Sequence, residues 1–346
     1  MPKISLRIFT FVLISAAIYL SIAGFLVISD QWRNPAQKKE GLSFDELVID
    51  YKGLPQLATF TARDGNQLSY RYYQAQAQKV LILLHGSGWH SRYLFPLAEF
   101  ISSANLAKVY TPDLRGHGHT PEKRGDIDYI DQLVDDLADF VAQVRKENPG
   151  SLLIIGGHSS GGGLSLRFAE SKYGQQADAY MLLSPWLQYN APTIRPDGNG
   201  WATPYTRRII GLSMLNNVGM DWFNYLPVIK FDMPKEMRDG TETLSYSYRL
   251  NTGYAPRDYK KALSSIKQPM LVVVGTNDQL FFAEKFEPVI SQYAEAEVRL
   301  VNGVTHMGVV VNPAVQPVVK KWLESIDRQG KINSRRLQTD ADKPRR

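Results

Sequence analysis

The sequence predicts an α/β protein: a mostly parallel sheet with helices on both faces, an inserted cap and one N-terminal transmembrane helix. Three observations support this class. Short apolar runs alternate with segments of helical periodicity over most of the chain, which favours βαβ connections. An uncharged run of 22 residues stands near the N-terminus. A stretch of 70 residues between two predicted core strands lacks the alternation, which indicates an insertion.

Composition excludes several classes of protein. The 346 residues are 44% hydrophobic and 21% charged, unlike a largely disordered, collagen-like or coiled-coil chain. Cysteine is absent, so disulfides, thiolate metal sites and a cysteine nucleophile are excluded. The net charge is +6, of which +4 falls in residues 331–346. The body is therefore not a basic surface, and we expect no nucleic-acid partner and a disordered basic tail over 329–346.

The segment Ile8–Ser29 is predicted to be an uncleaved membrane anchor. A helix needs about 20 apolar residues to cross the hydrocarbon core, and this run is long enough. Ser21-Ile22-Ala23 resembles a signal-peptide cleavage site, but the apolar run continues past it through Phe25–Ile28. The basic leader favours a signal-anchor with the body on the extracytoplasmic side, although the two flanks differ little in positive charge. The anchor is assigned to 1–29 and a polar linker to 30–41.

The elements of the main domain, 42–328, follow in order. An Asp-Gly turn between Leu57–Ala62 and Leu68–Tyr73 predicts a β-hairpin. Continuous apolar runs suit parallel strands covered on both faces. Such runs occur at Lys79–Leu84, Lys108–Thr111, Leu152–Ile155, Tyr180–Leu183, Leu271–Val274 and Val298–Val301. Helices are predicted over Arg92–Ser103, from Ile130 to Val144, from the turn after Ile155 to about Ser171, and over Gln316–Ile326.

The predicted cap, 187–256, is rich in large apolar side chains. It holds four of the eight methionines and several aromatic residues. Flexible thioethers and aromatic rings suit an adaptable apolar pocket, but they equally suit the cap's own core. The residues concerned are Met214, Met220, Met233, Met237, Trp201, Trp222, Phe223, Tyr225, Leu226 and Phe231.

A candidate nucleophile follows the strand Leu152–Ile155. The run Gly157-His158-Ser159-Ser160-Gly161 fits G-x-S-x-G between a strand and a helix, the context of a nucleophile elbow. The turn is too tight for side chains at the flanking positions, and the helix N-terminus points its N–H groups at the same spot. Ser159 is therefore the predicted nucleophile, and Ser160 lacks the matching glycine flanks.

A serine nucleophile needs a base and an orienting acid. Asp278 follows the predicted strand Leu271–Val274, and His306 follows the last core strand. His306 is predicted to take the serine proton, and Asp278 to hold its imidazole in the correct tautomer. Ser159, Asp278 and His306 follow one another in the chain, each after a predicted strand. This order favours a catalytic role for His306 over a purely structural one. The other histidines are interpreted as structural, and we predict no metal ion.

Two backbone donors are predicted to stabilise an oxyanion. Gly86 and Gly88 allow the chain after Lys79–Leu84 to approach a substrate closely. The N–H groups of Ser87 and Ser160 are the candidate donors.

These motifs together resemble the α/β-hydrolase superfamily, and within it the lysophospholipase and monoacylglycerol lipase-like serine hydrolases. The resemblance rests on 85–93, on 113–118, on the Ser159 elbow, and on Asp278 and His306. It implies an eight-stranded sheet, a cap over the site, and ester cleavage without a metal or organic cofactor. The membrane segment and the basic tail are additions, and the cap matches no lipase cap.

The resulting expectation is a membrane-anchored serine hydrolase that cleaves carboxylic esters through an acyl-enzyme. Lysophospholipids and monoacylglycerols are the lipid esters that the resemblance suggests. Two alternatives stay open: an amidase or aminopeptidase on the same triad, and a catalytically idle binding protein of this fold. An aminopeptidase would want cap carboxylates such as Glu236 or Glu242 facing a substrate ammonium.

Overall fold

The computed structural model describes residues 2–29, 41–119, 121–196 and 200–326. The predicted linker, apart from its last residue, and the predicted basic tail lie outside the described residues. Eleven strands are present in this part of the chain. They are β1 (Leu57–Thr61), β2 (Gln67–Tyr73), β3 (Lys79–Leu84), β4 (Lys108–Pro112), β5 (Leu152–His158), β6 (Ala179–Leu183), β7 (Ala202–Pro204), β8 (Pro227–Phe231), β9 (Ser245–Ser247), β10 (Met270–Gly275) and β11 (Glu297–Val301).

Ten α-helices belong to the described residues. They are α1 (Pro2–Ser29), α2 (Phe95–Ser103), α3 (Gln132–Glu147), α4 (Ser160–Glu170), α5 (Thr206–Asn217), α6 (Tyr248–Gly253), α7 (Tyr259–Ser265), α8 (Phe286–Ile290), α9 (Gly308–Val311) and α10, which covers 316–326. The helix predicted over Arg92–Ser103 begins as a 3₁₀ turn over Ser91–Leu94 before α2.

Eight strands form one sheet in the order β1-β2-β4-β3-β5-β6-β10-β11. β1, β2 and β4 pair antiparallel, and every other neighbouring pair is parallel. The predicted hairpin and the predicted parallel strands are confirmed. β3 and β10 are buried along their whole length, as expected for apolar strands covered on both faces. The carboxyl ends of β3, β5, β10 and β11 therefore meet at one edge of the sheet, where polar loops follow them.

The predicted cap contains a second, smaller sheet. β7, β8 and β9 pair antiparallel in that order, and α5 lies between β7 and β8 in the chain. Two of these strands have three residues each, and Pro204 and Pro227 stand at strand ends. Strands this short are not long enough to show a recognisable alternation of apolar and polar residues. For this reason the sequence analysis predicted no strands or helices in the cap.

The apolar helix α1 contains a candidate membrane span, Arg7–Ser29, with mean hydropathy 2.5. Its residues from Arg7 to Ile18 are exposed, but its last three turns pack on α5 of the cap. The two helices run antiparallel: Tyr19 Oη donates to the carbonyl of Met214 at 2.9 Å, and Arg208 Nε donates to the carbonyl of Val27 at 3.1 Å. Between these contacts, Gly211 brings the two backbones together, since a Cβ there would lie 2.7 Å from the carbonyl oxygen of Ala23.

Candidate active site

The candidate nucleophile Ser159 stands between β5 and α4 in a strained backbone conformation. Its φ is 55° and its ψ is −120°, a region that serine rarely occupies. The flanking glycines are required by space. A Cβ on Gly157 would lie 2.2 Å from the Gly161 backbone, and one on Gly161 would lie 2.4 Å from the carbonyl oxygen of Leu84. The tight turn between β5 and α4 therefore presents Ser159 at the edge of the sheet. The flanking positions must be glycine because the turn leaves no room for side chains, as predicted from the sequence.

Asp278 and His306 form a buried pair in the loops after β10 and β11. The imidazole Nδ1 of His306 lies 2.9 Å from Asp278 Oδ2. The other carboxylate oxygen accepts backbone N–H groups from Leu280 at 2.8 Å and Phe281 at 3.0 Å. Burial opposes the charge of Asp278, but the attraction of His306 and the donors outweighs it and lowers the pKa of the carboxyl. An ionised Asp278 accepts the Nδ1 proton, so Nε2 is free to accept a proton from a substrate or nucleophile.

Ser159 and His306 line the same cavity, whose volume is about 20 Å³. This is room for about one water molecule. Among the described residues, no hydrogen bond joins Ser159 Oγ to His306. Such bonds are often long before substrate binds, so the missing bond does not exclude Ser159 and His306 as partners. The three residues predicted from the sequence are thus brought to one place: Ser159 and His306 line one cavity, and Asp278 is hydrogen-bonded to His306.

The two candidate oxyanion donors, Ser87 and Ser160, are in direct contact. The N–H of Ser87 donates to Ser160 Oγ at 3.1 Å, and the two hydroxyls are hydrogen-bonded to each other. Ser160 is the first residue of α4, where backbone N–H groups have no partner within the helix. The Ser87 donor is therefore occupied by a neighbouring side chain in this structure, which the sequence did not indicate.

The apolar part of the cavity wall comes from three parts of the chain. Leu42 and Phe44 precede the sheet domain, Trp89 and Met307 follow core strands, and Trp201 belongs to the cap. The sequence reasoning missed the first two, because a single buried Leu and Phe beside a polar linker form no pattern. The Phe44 ring lies 5.2 Å from that of Trp201 and 6.1 Å from that of Trp89, measured between centroids.

Two cap residues that suggested a substrate pocket lie elsewhere. Trp222 is 71% exposed, and Met220 packs against the group of residues between α1 and α5. Met233 and Phe231 are part of the main core. Of the aromatic residues and methionines singled out in the cap, only Trp201 lines the cavity beside Ser159. The large apolar residues of the cap are thus divided among the main core, the cavity wall, the contact with α1 and an exposed surface.

A hydrogen-bonded chain connects the oxyanion loop to the loop of His306. The N–H of Gly86 donates to Tyr93 Oη at 2.5 Å, and Tyr93 Oη lies 2.9 Å from His158 Nδ1. His158 Nε2 lies 3.0 Å from the carbonyl oxygen of His306. A carbonyl only accepts, so Nε2 carries the proton and Tyr93 donates to Nδ1. Burial lowers the pKa of His158 to about 3, so the ring stays neutral.

Two other buried histidines, His85 and His117, hold loops together. His85 accepts the N–H of Leu114 at Nε2, at 3.0 Å, and its Nδ1 lies 2.8 Å from the carbonyl of Gly86. His117 contacts the hydroxyl of Tyr246 at 2.6 Å. Burial lowers the pKa of His85, and lowers that of His117 strongly. Within the part of the chain that the structure describes, no group of His, Asp and Glu has the arrangement of a metal site.

The fold and this edge of the sheet define a serine hydrolase of the α/β-hydrolase class. A match to a family model identifies the family within this class. Residues 75–309, about two thirds of the chain, match the Hydrolase_4 family, described as serine aminopeptidase, S33. The chain belongs to this family, and it is similar to monoacylglycerol lipases. The resemblance inferred from the motifs is confirmed at this level.

Two curated relatives give the degree of similarity. The chain is 31% identical to the monoglyceride lipase of Homo sapiens over 144 residues, which are 41% of this chain and 46% of that protein. It is 24% identical to the monoacylglycerol lipase of Mycolicibacterium smegmatis over 234 residues, 64% of this chain and 78% of that protein. The chain thus spans about half the length of the human relative and a larger part of the bacterial one.

A solved structure supports the fold. A soluble variant of monoglyceride lipase from Saccharomyces cerevisiae, in complex with a substrate analogue, superposes with a TM-score of 0.63 at 20% identity. The match covers 81% of this chain and 97% of the yeast chain. The predicted α/β-hydrolase fold with its mostly parallel eight-stranded sheet is confirmed.

Proposed function

We propose that this protein is a membrane-anchored esterase that cleaves lipid esters, monoacylglycerols above all, through an acyl-enzyme on Ser159. The observation that carries the proposal is the convergence of Ser159 and the buried Asp278–His306 pair on one cavity, whose wall is partly formed by large apolar side chains. The similarity to monoacylglycerol lipases supports the substrate class. Lysophospholipids share the acyl ester and are the second substrate to test.

The proposed reaction uses these side chains in sequence. Ser159 Oγ attacks the ester carbonyl while His306 Nε2 takes the hydroxyl proton, and Asp278 stabilises the imidazolium. The tetrahedral intermediate collapses as its C–O bond breaks, and His306 gives the proton to the leaving alcohol. Water then attacks the acyl-enzyme with its proton passing to His306, and the fatty acid leaves as Ser159 regains its proton.

The oxyanion would bind to the N–H groups of Ser87 and Ser160. In this structure the N–H of Ser87 donates to Ser160 Oγ. Substrate oxygen would replace that hydroxyl, so the donor is never left without a partner before the reaction. A rotation of the Ser160 side chain would release the Ser87 donor for this exchange.

The lining of the cavity favours an ester over an amino-terminal peptide. A free ammonium group of a substrate needs a nearby carboxylate, and none of the residues that line the described cavity is Asp or Glu. Glu242 instead accepts the N–H groups of Asp239 and Gly240 in a cap turn, and Glu236 is exposed. Neither of the carboxylates considered for an aminopeptidase therefore lines the cavity beside Ser159.

The anchor is proposed to be uncleaved and single-pass, with the catalytic domain on the extracytoplasmic side. The span Arg7–Ser29 supports membrane insertion. The basic leader supports the orientation. The contacts of α1 with the cap support retention of the helix in the mature protein, because removal would uncover an apolar surface on α5.

The proposal is tested with full-length protein in detergent micelles. A fluorophosphonate probe reports a reactive serine, and initial rates are compared for monoacylglycerols, lysophospholipids, acetate esters and aminoacyl anilides. We expect Ser159-dependent labelling and the highest kcat/KM on monoacylglycerols. Faster cleavage of aminoacyl anilides would replace the esterase proposal by an aminopeptidase. Absence of both labelling and turnover would indicate a binding protein.

A further inference from the structure

Two tyrosine hydroxyls hold the loop after β3 on both sides of Ser87. The N–H of Gly86 donates to Tyr93 Oη at 2.5 Å, and the N–H of Gly88 donates to Tyr246 Oη at 2.8 Å. Both tyrosines are buried, and burial raises the pKa of both hydroxyls, so they stay protonated at neutral pH. The backbone on either side of Ser87 is therefore fixed, and the N–H groups of its two neighbours are already engaged.

The same loop packs directly against the nucleophile. A Cβ on Gly86 would lie 3.1 Å from Ser159 Cβ and 3.3 Å from the carbonyl oxygen of His158. Ser87 is the next residue, and it lines the cavity that Ser159 and His306 also line. Ser87 is thus placed beside the point where the carbonyl of an ester would be attacked.

Both polar hydrogens of Ser87 can reach one oxygen atom. The N–H donates to Ser160 Oγ at 3.1 Å, and the Ser87 hydroxyl is hydrogen-bonded to the same atom. A hydroxyl hydrogen rotates about its C–O bond to suit its partner, so Ser87 can give both hydrogens to a single acceptor. An oxygen at the position of Ser160 Oγ therefore has two donors from one residue.

We propose that the Ser87 hydroxyl is a third donor to the oxyanion, beside the N–H groups of Ser87 and Ser160. The proposal rests on the proposed function, in which substrate oxygen displaces Ser160 Oγ from the Ser87 N–H. The same displacement frees the Ser87 hydroxyl, because it contacts the same atom. Charge develops on substrate oxygen only as Ser159 attacks, and a hydrogen bond to a charged oxygen is stronger than one to a neutral oxygen. The hydroxyl thus stabilises the transition state more than the bound ester.

The Ser160 hydroxyl has a different role from the Ser87 hydroxyl that it contacts. It occupies the donors of Ser87 in this structure, so it competes with substrate oxygen for them. Loss of the Ser160 hydroxyl removes a competitor, whereas loss of the Ser87 hydroxyl removes a catalytic donor. A purely structural bond between the two would make both losses equivalent.

The test compares alanine variants of the full-length protein in detergent micelles. Ser87→Ala removes the hydroxyl and keeps the N–H. Ser91→Ala is the matched control, because Ser91 is buried in the 3₁₀ turn that follows the loop and its hydroxyl has no hydrogen-bond partner among the described residues. For each variant, kcat and KM are measured on p-nitrophenyl butyrate, and Tm is measured by circular dichroism.

A trifluoromethyl ketone with a short alkyl chain reports the oxyanion directly. Ser159 Oγ bonds to the ketone carbon, the electron pair of the C=O π bond moves to oxygen, and the serine proton passes to His306. We expect Ser87→Ala to lower kcat by about 10–100-fold with KM little changed, because two N–H donors remain. The inhibition constant of the ketone should rise by the same factor as kcat/KM falls. Ser91→Ala should change neither quantity.

A double variant separates donation to the oxyanion from support of the Ser160 side chain. The loss caused by Ser87→Ala should be at least as large in the Ser160→Ala background as in the wild-type background. A loss that disappears in the Ser160→Ala background would mean that Ser87 acts only through Ser160, and it would overturn the inference.

The remaining failures are distinguishable. An unchanged kcat of Ser87→Ala in an active enzyme would overturn the inference and leave the esterase proposal standing. A lower kcat without weaker binding of the ketone, or with a Tm below that of Ser91→Ala, would assign the loss to the fold of the loop and overturn the inference too. Absence of ester turnover by the wild-type protein would remove the proposed function, and the inference with it.

Discussion

The imidazole Nε2 of His158 lies 3.0 Å from the backbone carbonyl of His306, so the residue before the candidate nucleophile holds the loop of the candidate base. The same ring accepts from Tyr93, which in turn accepts the N–H of Gly86. Three loops that follow different strands are thereby fixed to one another through a single neutral imidazole.

The nucleophile assignment predicts different outcomes for two adjacent serines. Ser159→Ala should lower kcat by at least about 10⁴-fold and abolish fluorophosphonate labelling, because the attacking oxygen is removed. Ser160→Ala should keep most of the labelling and turnover, since only the side chain is lost and the N–H remains. Both are measured as burst labelling and ester turnover of full-length protein in micelles. Undiminished labelling of Ser159→Ala would disprove the elbow assignment.

The acid stability of the protein should depend on His158. Folding holds this histidine neutral down to about pH 3, whereas in the unfolded chain it takes a proton below about pH 6.5. The unfolded state therefore binds more protons between these values, and stability rises with pH and is lost as pH falls. The contribution is up to about 1.4 kcal/mol per pH unit for this group.

His158→Gln removes that titration while an amide can still donate to His306 and accept from Tyr93. We expect the variant to show a shallower fall of Tm from about pH 6.5 to about pH 4.5. Thermal unfolding in detergent followed by near-UV circular dichroism measures it. His119→Gln, at an exposed histidine, is the matched control. Equal slopes for wild type and His158→Gln would show that the ring does titrate in the folded protein.

Phe44 should limit which acyl groups fit beside Ser159. The cavity holds about one water, so removing this ring enlarges it where the acyl chain would lie. Phe44→Ala should raise kcat/KM for bulky acyl esters relative to acetate esters by about threefold or more, with a stability loss of about 3 kcal/mol. Phe60→Ala is the control, because Phe60 is equally buried but packs on Phe140 under the sheet. The same change of preference in both variants would argue against a role for Phe44 in selectivity.

Two glycines near the α1–α5 contact should respond to alanine with opposite signs. Gly211→Ala places a methyl group 2.7 Å from the carbonyl of Ala23, so we expect a destabilisation of about 1–3 kcal/mol. Gly24→Ala has no atom within 4 Å of the new methyl group, so higher helix propensity should make it neutral or stabilising by up to about 1 kcal/mol. Thermal unfolding and limited proteolysis of the cap in micelles measure both. Identical behaviour of the two variants would contradict close packing of α1 on the cap.

The main sheet and the positions of Ser159, Asp278 and His306 could be predicted because each depends on local pattern. β3 and β10 are unbroken apolar runs, and the elbow glycines are fixed by a turn that allows nothing larger. The structure places the three predicted side chains at one edge, and their catalytic roles remain predictions for the experiments above. What the sequence missed depends on distant contacts. Phe44 lines the cavity only because its segment is tied to the loop of His306, where Glu46 hydrogen-bonds Thr305.

The cap was the least predictable part for a related reason. Its apolar residues contact three different parts of the molecule: the main core, the cavity and α1. Their number alone therefore does not show which of these parts any one residue contacts. Trp222 and Met220 looked equivalent to Trp201 in the sequence but lie on other surfaces. The contact of Gly211 with Ala23 joins positions far apart in the chain, and one glycine in a helix gives no sign of it.

The packing of α1 on α5 also has a practical side for purification. Cutting away the first thirty residues is the usual way to make such a protein soluble, but here it would uncover Leu212, Leu215, Val228 and Tyr248, which are buried together with Ala23 and Val27. An apolar patch of this kind promotes self-association in water. A shortened protein would therefore remain in solution better with polar replacements at Leu212 and Leu215, or with a detachable copy of α1 supplied as a peptide.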